Sequence, residues 1–324
     1  MRWCCSACAR SSPTSSAGST PSTPRRRSST GRADPSVAGE GGVMHEIGGT
    51  VFHRWYVTLF GLAFLFFAVR HLGWRKTLVY GVVAFGVGAL AENGSVHVGF
   101  PYTTYAFEPA LRGKELWIGD VPVFVPLSYT FMGYFAFAAG RLVASGPWRT
   151  RARYWWQEFL MAWILAVWAL WVVDPISRLG DDFYLGKVFH YRGPGFWFGL
   201  PLGSQLGFAL TSFVLLSLLF WLTRGEASRP VEGGLLRHPH FGALVTWHAQ
   251  VFHMAVIAFV VGADSIGGSA FLMWVPAAAV TAVYWASISP RARRLDAAAA
   301  SVEGDRQVHE AAHETRAEAL GISG

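Results

Sequence analysis

The stretch WWQEFLMAWILAVWALWVVDP, Trp155–Pro175, decides the fold class. From Trp155 to Val173 it is apolar with little interruption, close to the roughly 20 residues that cross a bilayer core. Six other stretches read the same way: Trp55–Leu72, Leu78–Ala91, Leu127–Ala144, Pro201–Leu222, Phe241–Val261 and Phe271–Ile288. The whole chain agrees, since 52% hydrophobic, 15% aromatic and only 15% charged residues across 324 positions is too apolar for a soluble domain. The sequence therefore predicts an all-α, polytopic membrane helix bundle of about seven transmembrane helices in a multi-pass cell-membrane protein.

Basic residues set the orientation. The loops after the odd-numbered spans carry Arg70, Arg75 and Lys76, then Arg149, Arg151 and Arg153, then Arg224, Arg229 and Arg237, and the C-terminal flank adds Arg291, Arg293 and Arg294. The positive-inside rule makes these cytoplasmic, with the N-terminus out and the C-terminus in. Three regions follow: a tail over 1–43, a transmembrane domain over 44–290, and a cytoplasmic tail over 291–324 whose Ala, Glu and Arg content suits a helix. Residues 1–43 are rich in Ser, Thr and Pro and read as disordered. They lack an apolar run before Met44, and the expectation is that translation starts at Met44. The three cysteines, Cys4, Cys5 and Cys8, all lie in that tail, so the membrane body holds no disulfide or thiolate site. The net charge of +7 comes mostly from the same tail, and the remainder orients the chain and meets anionic headgroups rather than nucleic acid.

Chemistry is signalled by carboxyls. Glu92, Asp174 and Asp264 fall near the ends of the second, fourth and sixth spans. Alternate spans run in the same direction, so the three carboxyls meet at the outer face. Ionisable groups at membrane depth are costly and sit in protein interiors or wet cavities. On the sixth span Thr246, Gln250 and His253 follow i, i+4 and i+7 and continue towards Asp264, a polar stripe that lines a cavity or holds helices together. His248 points elsewhere, which disfavours a two-histidine metal site.

The outer loops depart from generic membrane sequence. The first runs AENGSVHVGFPYTTYAFEPALRGKELWIGDVPVFVPLSY from Ala91 to Tyr129, and the fourth-to-fifth connection carries Asp174-Pro175 and RGPGFWFGLPLG. Gly94, Gly99, Pro101, Gly119, Pro122 and Pro126 are expected to break any helix in the first loop, and Asp174-Pro175 to end the fourth span. Both loops place a carboxylate at a span end, then Gly and aromatic residues, then Val-Pro or Leu-Pro. These elements, from Glu92 to Tyr105, then Gly119-Asp120-Val121-Pro122, Val125-Pro126-Leu127-Ser128-Tyr129, Asp174-Pro175 and Phe198-Gly199-Leu200-Pro201, resemble the membrane-bound carotenoid biosynthesis protein family. That family includes carotenoid 1',2'-hydratases of acyclic end groups. The resemblance spans about Thr77 to Leu222 and implies a polyene or isoprenoid substrate, membrane lipids and neighbouring biosynthetic membrane enzymes as partners. Two positions depart from the expected pattern, Pro101-Tyr102-Thr103-Thr104-Tyr105 and Ser204-Gln205-Leu206-Gly207-Phe208.

The residues point in a compatible direction. Hydrating an isolated alkene needs an acid to protonate carbon, a group to stabilise the carbocation, and a base to orient water. Glu92 and Asp174 are the candidate acid and base, with no assignment between them, and Asp120 and Asp264 are placed in support. Tyr102, Tyr105, Trp197 and Phe198 are candidate cation stabilisers, and Gln250 and His253 candidate substrate contacts. The same set would serve cyclisation or isomerisation of a polyketide or terpenoid, and a proton-coupled transporter or lipid-binding protein is a further reading. No HExxH, Walker loop or histidine cluster is present, so neither metal nor cofactor is expected.

Overall fold

In the computed structural model, residues 42–144, 155–224 and 240–283 are described, together with positions 294, 298 and 301. The expectations for the first 41 residues, for most of the C-terminal tail, and for the cytoplasmic arginines at 149–153 and 229–237 lie outside the described residues.

Among the described residues, eight α-helices carry the fold. A short α1 (Val43–Gly48) and a π turn lead into α2 (Trp55–Leu72) and α3 (Trp74–Val98). Then come α4 (Phe124–Ala144), α5 (Trp155–Ser177), α6 (Leu202–Leu222), α7 (Phe241–Val260) and α8 (Asp264–Val283). The last seven correspond to the seven expected spans. Six of them are long and apolar enough to cross a membrane. The seventh, α4, has the length without the hydropathy, and its position explains why. It packs against α2, α3, α5, α6 and α7 at the centre of the bundle, and every residue from Tyr129 to Leu142 except Met132 is buried. A helix shielded from lipid by its neighbours does not need an apolar surface, so α4 accommodates Ser128, Tyr129, Thr130, Tyr134 and Arg141.

Outer helices follow the opposite rule. On α2, Val57, Phe60, Phe64, Ala68 and Leu72 recur every three or four residues on the buried face, while Leu59, Leu62, Leu65 and Phe66 face outward. Outward apolar side chains are what a lipid-facing surface requires. The protein is thus a multi-pass membrane helix bundle. On its periphery, α8 is tied on by His248 to Thr281 (2.8 Å) and by the Trp168 indole N–H donating to the Met273 carbonyl (3.1 Å).

Three helix boundaries differ from the sequence reading. The second span does not stop at Ala91, because α3 runs through Gly94 to Val98, leaving Glu92 more than a turn inside the helix. Gly94 is needed for contact rather than as a breaker: a Cβ there would lie 2.7 Å from the Phe100 carbonyl oxygen, where the returning loop crosses the helix. Likewise α5 passes through Asp174-Pro175 to Ser177. Proline removes the N–H that would bond the carbonyl four residues back, Trp171. That carbonyl instead accepts the Trp197 indole N–H at 3.1 Å. Finally, the last span starts at Asp264, so Asp264 opens α8.

The two long loops meet over one end of the bundle. Strand β1 (Tyr105–Phe107) pairs antiparallel with β4 (Phe189–Tyr191), in the register Tyr105 with Tyr191 and Phe107 with Phe189. Residues two apart on a strand share a face, so these four rings form one aromatic surface turned inward, with Ala106 and His190 on the other side. A small hairpin, β2 (Trp117–Ile118) and β3 (Val121–Pro122), lies in the first loop. That loop is anchored to the start of α2 by a buried ion pair, Arg54 Nε to Glu115 Oε1 at 2.9 Å.

Candidate active site

Glu92 on α3 and Asp174 on α5 are brought together. Both line a cavity of about 140 Å³ between α2 to α7 and the loop after α5, whose other walls include Tyr56, Phe60, Phe131, Leu170, Phe208, Gln250 and His253. Both also line a smaller chamber of about 70 Å³ beneath the aromatic sheet, with Tyr102, Tyr105, Tyr191 and Ser204. The two spaces share Glu92, Asp174, Tyr129, Leu170, Phe189 and Phe208. The carboxyls therefore stand at a boundary between a mostly apolar chamber and one lined with hydroxyls.

Glu92 is 6% exposed. Its Oε1 is hydrogen-bonded to the Tyr129 hydroxyl on α4, which lies 2.7 Å from the Tyr102 hydroxyl. The Tyr102 hydroxyl is 3.0 Å from Thr211 Oγ1 on α6, and Thr211 in turn donates to the Gly207 carbonyl at 3.0 Å. Four contacts thus join Glu92 to the α6 backbone. Tyr129, Tyr102 and Thr211 own one hydrogen each, so all four contacts carry a hydrogen only when Glu92 contributes one. With Glu92 as a carboxylate, one link of the chain is empty.

Local structure holds this chain in place. Ser95, one turn beyond Glu92, accepts the Tyr102 backbone N–H at 2.9 Å and so fixes the loop after α3. Gly207 makes room for it, since a Cβ there would sit 2.2 Å from the Pro101 carbonyl oxygen. Burial pushes the Tyr102 hydroxyl well above the usual phenol range and the Glu92 carboxyl adds to this, against the hydrogen bonds from Thr211 and Tyr129. Tyr191 is raised for the same first reason, burial, with Asp174 next. Both phenols keep their protons at neutral pH. Tyr191 and Ser204 face each other across 2.7 Å in the smaller chamber.

Asp174 is unlike Glu92. Among the described residues its carboxyl has no hydrogen-bond or ion-pair partner, and it lines both chambers. It is available to whatever the cavity holds.

Other candidates fall outside this centre. Asp120 is half exposed and paired with Arg112 and with His97 (3.2 Å), so it borders neither chamber. It belongs to the surface of the first loop. Asp264 is exposed at the first residue of α8, where a carboxylate suits the positive end of the helix, and lines neither chamber. Trp197 and Phe198 also lie away from both. The Trp197 indole is committed to Trp171, and the Phe198 carbonyl accepts the Arg178 Nε. By contrast Tyr102 and Tyr105 line the smaller chamber, and Gln250 and His253 the larger one.

Sequence reasoning missed Tyr129, Thr211, Tyr191 and Ser204. A signal existed for α6, where Ser204, Phe208 and Thr211 follow i, i+4 and i+7 and define an inward face. None existed for Tyr129, whose partners are 27 and 37 residues away in sequence. Among the described residues no cluster of His, Cys, Asp or Glu could hold a metal ion.

The family model for carotenoid biosynthesis proteins matches residues 52–276, which contain every element of the site. The chain belongs to the carotenoid biosynthesis protein family. Membership gives it a carotenoid-related function in a lipid environment, with a polyene as the molecule it handles. No curated protein and no solved structure matches the chain. Within this family member, the matched segment runs from the π turn before α2 into α8 and leaves out only the chain ends.

Proposed function

We propose that this carotenoid biosynthesis protein is a hydratase that adds water to an isolated double bond of an acyclic polyene end group, with Glu92 as acid and Asp174 as base. The observation that carries the reading is the shared boundary: two carboxyls lining both an apolar chamber and a hydroxyl-lined one. The apolar chamber takes the polyene end. Glu92 transfers its proton to the less substituted alkene carbon, leaving a tertiary carbocation and a Glu92 carboxylate. Water from the smaller chamber adds through oxygen to the cation while Asp174 takes one of its protons, giving the tertiary alcohol. Returning that proton from Asp174 to Glu92 closes the cycle, so no other reactant is consumed.

The division of roles follows from the partners. Two neighbouring carboxyls do not both ionise readily. Glu92 sits in a chain whose contacts are all filled only when it carries a proton, and Asp174 has a free carboxyl facing the chamber that supplies water. The rings of Phe60, Phe131 and Phe208 around the larger chamber offer faces to a developing cation.

The test is mass analysis of lipid extracts from a host accumulating an acyclic carotene, expressing the protein, its Glu92→Gln variant or an empty vector. A gain of one or two waters that disappears with Glu92→Gln is expected. A same-mass product with a new retention time would replace hydration by cyclisation or isomerisation. Unchanged pigment in hosts that make folded protein and accumulate either the acyclic carotene or its monohydroxylated form would refute the hydratase.

A further inference from the structure

The wall of the larger cavity contributed by α7 is not merely apolar. Gln250 is 5% exposed and lines the cavity, yet its Oε1 has no hydrogen-bond partner. Three residues on, His253 also lines the cavity with its Nδ1 unpartnered. Polar stripes of this kind in membranes commonly join helices, but that role needs a partner. The rest of α7 supplies the contrast. Thr246 donates to the Gly242 carbonyl at 2.8 Å, and His248 meets Thr281 on α8 at 2.8 Å. His248 keeps an unpartnered Nδ1 as well, but it lies outside the cavity and its other ring nitrogen is tied to α8, whereas the unpartnered Gln250 Oε1 and His253 Nδ1 belong to residues that line the cavity.

The surroundings hold the pair in position. The His253 ring lies against Trp55, Tyr56 and Phe60 of α2, with centroids 5.9, 5.8 and 6.2 Å away. Gln250 lies one helical turn from it. These groups are also supplied by α7, a different helix from those bearing Glu92 and Asp174. Buried amide oxygens without partners are rare in folded proteins because each costs a lost hydrogen bond, and they are completed by a ligand or water.

We infer that Gln250 and His253 form a hydrogen-bonding subsite for a hydroxyl group carried by the polyene, away from the double bond that reacts. A hydroxyl supplies the donor that Gln250 Oε1 lacks and accepts from or donates to the imidazole, whichever tautomer it holds. The inference rests on the polyene reading of the cavity and narrows it. The preferred substrate is an already oxygenated acyclic carotenoid rather than the pure hydrocarbon. A reaction that installs a hydroxyl then supplies the better substrate, with the hydrocarbon a weaker one.

The experiment is a binding measurement without turnover. Quenching of tryptophan fluorescence in the detergent-solubilised protein is titrated with an acyclic carotene and with its monohydroxylated isomers. The wild type is expected to bind one hydroxylated isomer about tenfold more tightly than the hydrocarbon, a typical value for one or two added hydrogen bonds. The preference is expected to vanish in Gln250→Leu and to shrink in His253→Phe. Equal wild-type affinity for the hydrocarbon and every isomer overturns the subsite while leaving the polyene reading intact, and needs no variant to fold. Preference retained in a folded Gln250→Leu also overturns it. No binding of either kind of probe would defeat the polyene reading itself, and Glu92→Gln, titrated alongside, separates loss of chemistry from loss of binding.

Discussion

Cutting the chain of hydroxyls behind Glu92 at successive points should reduce turnover in order of distance from the carboxyl. Glu92→Gln keeps the shape of the side chain and an amide N–H to donate to Tyr129, but has no proton to release to carbon. Loss of a general acid costs about 10²–10⁴ in rate. Tyr129→Phe leaves the buried Glu92 without its hydrogen-bond partner and breaks the chain at its first link. An orphaned buried group costs about 1–3 kcal/mol, or roughly 5- to 150-fold if it falls on the transition state. Tyr102→Phe spares the Glu92 to Tyr129 bond and removes the links to Tyr129 and Thr211, for which about 0.5–1.5 kcal/mol and a 2- to 10-fold loss are expected. Thr211→Val, the furthest, should fall at or below that range.

Turnover is measured by chromatography and mass detection of hydrated product in membranes containing matched amounts of protein, and thermal unfolding in detergent is followed in parallel. The expected pattern is a graded loss of rate with Glu92→Gln unfolding close to wild type, because its contacts survive. Wild-type rate in Tyr129→Phe, or a loss in Thr211→Val as large as in Glu92→Gln, would refute the argument that this chain holds Glu92 in its protonated form.

Four further outcomes follow from the packing. Glu115→Ala leaves the Arg54 guanidinium buried without its carboxylate and should cost about 3–5 kcal/mol of stability, with the double change Arg54→Met, Glu115→Leu recovering much of it in thermal unfolding. Trp197→Phe strips the Trp171 carbonyl of the donor that replaces the missing Pro175 N–H, for an expected loss of about 1–3 kcal/mol in the same assay. Gly207→Ala forces Pro101 and hence Tyr102 off α6 and should lower turnover by more than it lowers thermal stability. Asp264→Asn should hydrate substrate within about threefold of wild type, as expected of an exposed surface substitution, and a lone cysteine at 264 in a chain with Cys4, Cys5 and Cys8 replaced should react with an impermeant thiol reagent from the outer face, testing the orientation.

The helices were legible because lipid imposes a length and a hydropathy on any segment it touches, and six of the seven long helices obey both. Their ends were less legible. Gly94 and Asp174-Pro175 are local signals for stopping a helix, yet each lies within one, since the loop at Phe100 and the indole of Trp197 supply what the local sequence lacks. Glu92 and Asp174 stood out as carboxyls too deep for their surroundings. Asp120 and Asp264 carried the same chemical label, and only their exposure separates them from the site. The spacing of Ser204, Phe208 and Thr211 marks an inward face of α6, but the partners of Tyr129, Thr211 and Tyr191 were invisible for another reason: a hydroxyl gains its meaning from an oxygen across the bundle, and no spacing along one chain reports that neighbour.

The placement of the carboxyls on α3 and α5, rather than in the loops, has a chemical rationale under the hydratase reading. Alkene protonation creates a cation that nearby water would quench from any direction, so water has to arrive on one side and the acid has to sit at a fixed position relative to the double bond. Loops alone would not fix a carboxyl to that tolerance, whereas a helix packed on several neighbours does. The loops contribute what helices do poorly in an apolar setting, hydroxyls and aromatic rings gathered beneath a two-stranded sheet, whose pairing satisfies the loop backbone where it crosses the mouth of the bundle. Two sources of structure therefore meet at one boundary, the bundle keeping one side of Glu92 and Asp174 apolar and the paired loops keeping the other side able to hold water. A change that opened the sheet, such as replacing Tyr105 and Tyr191 together by Ala, would merge the two environments and should lower turnover even though neither residue exchanges a proton with the substrate.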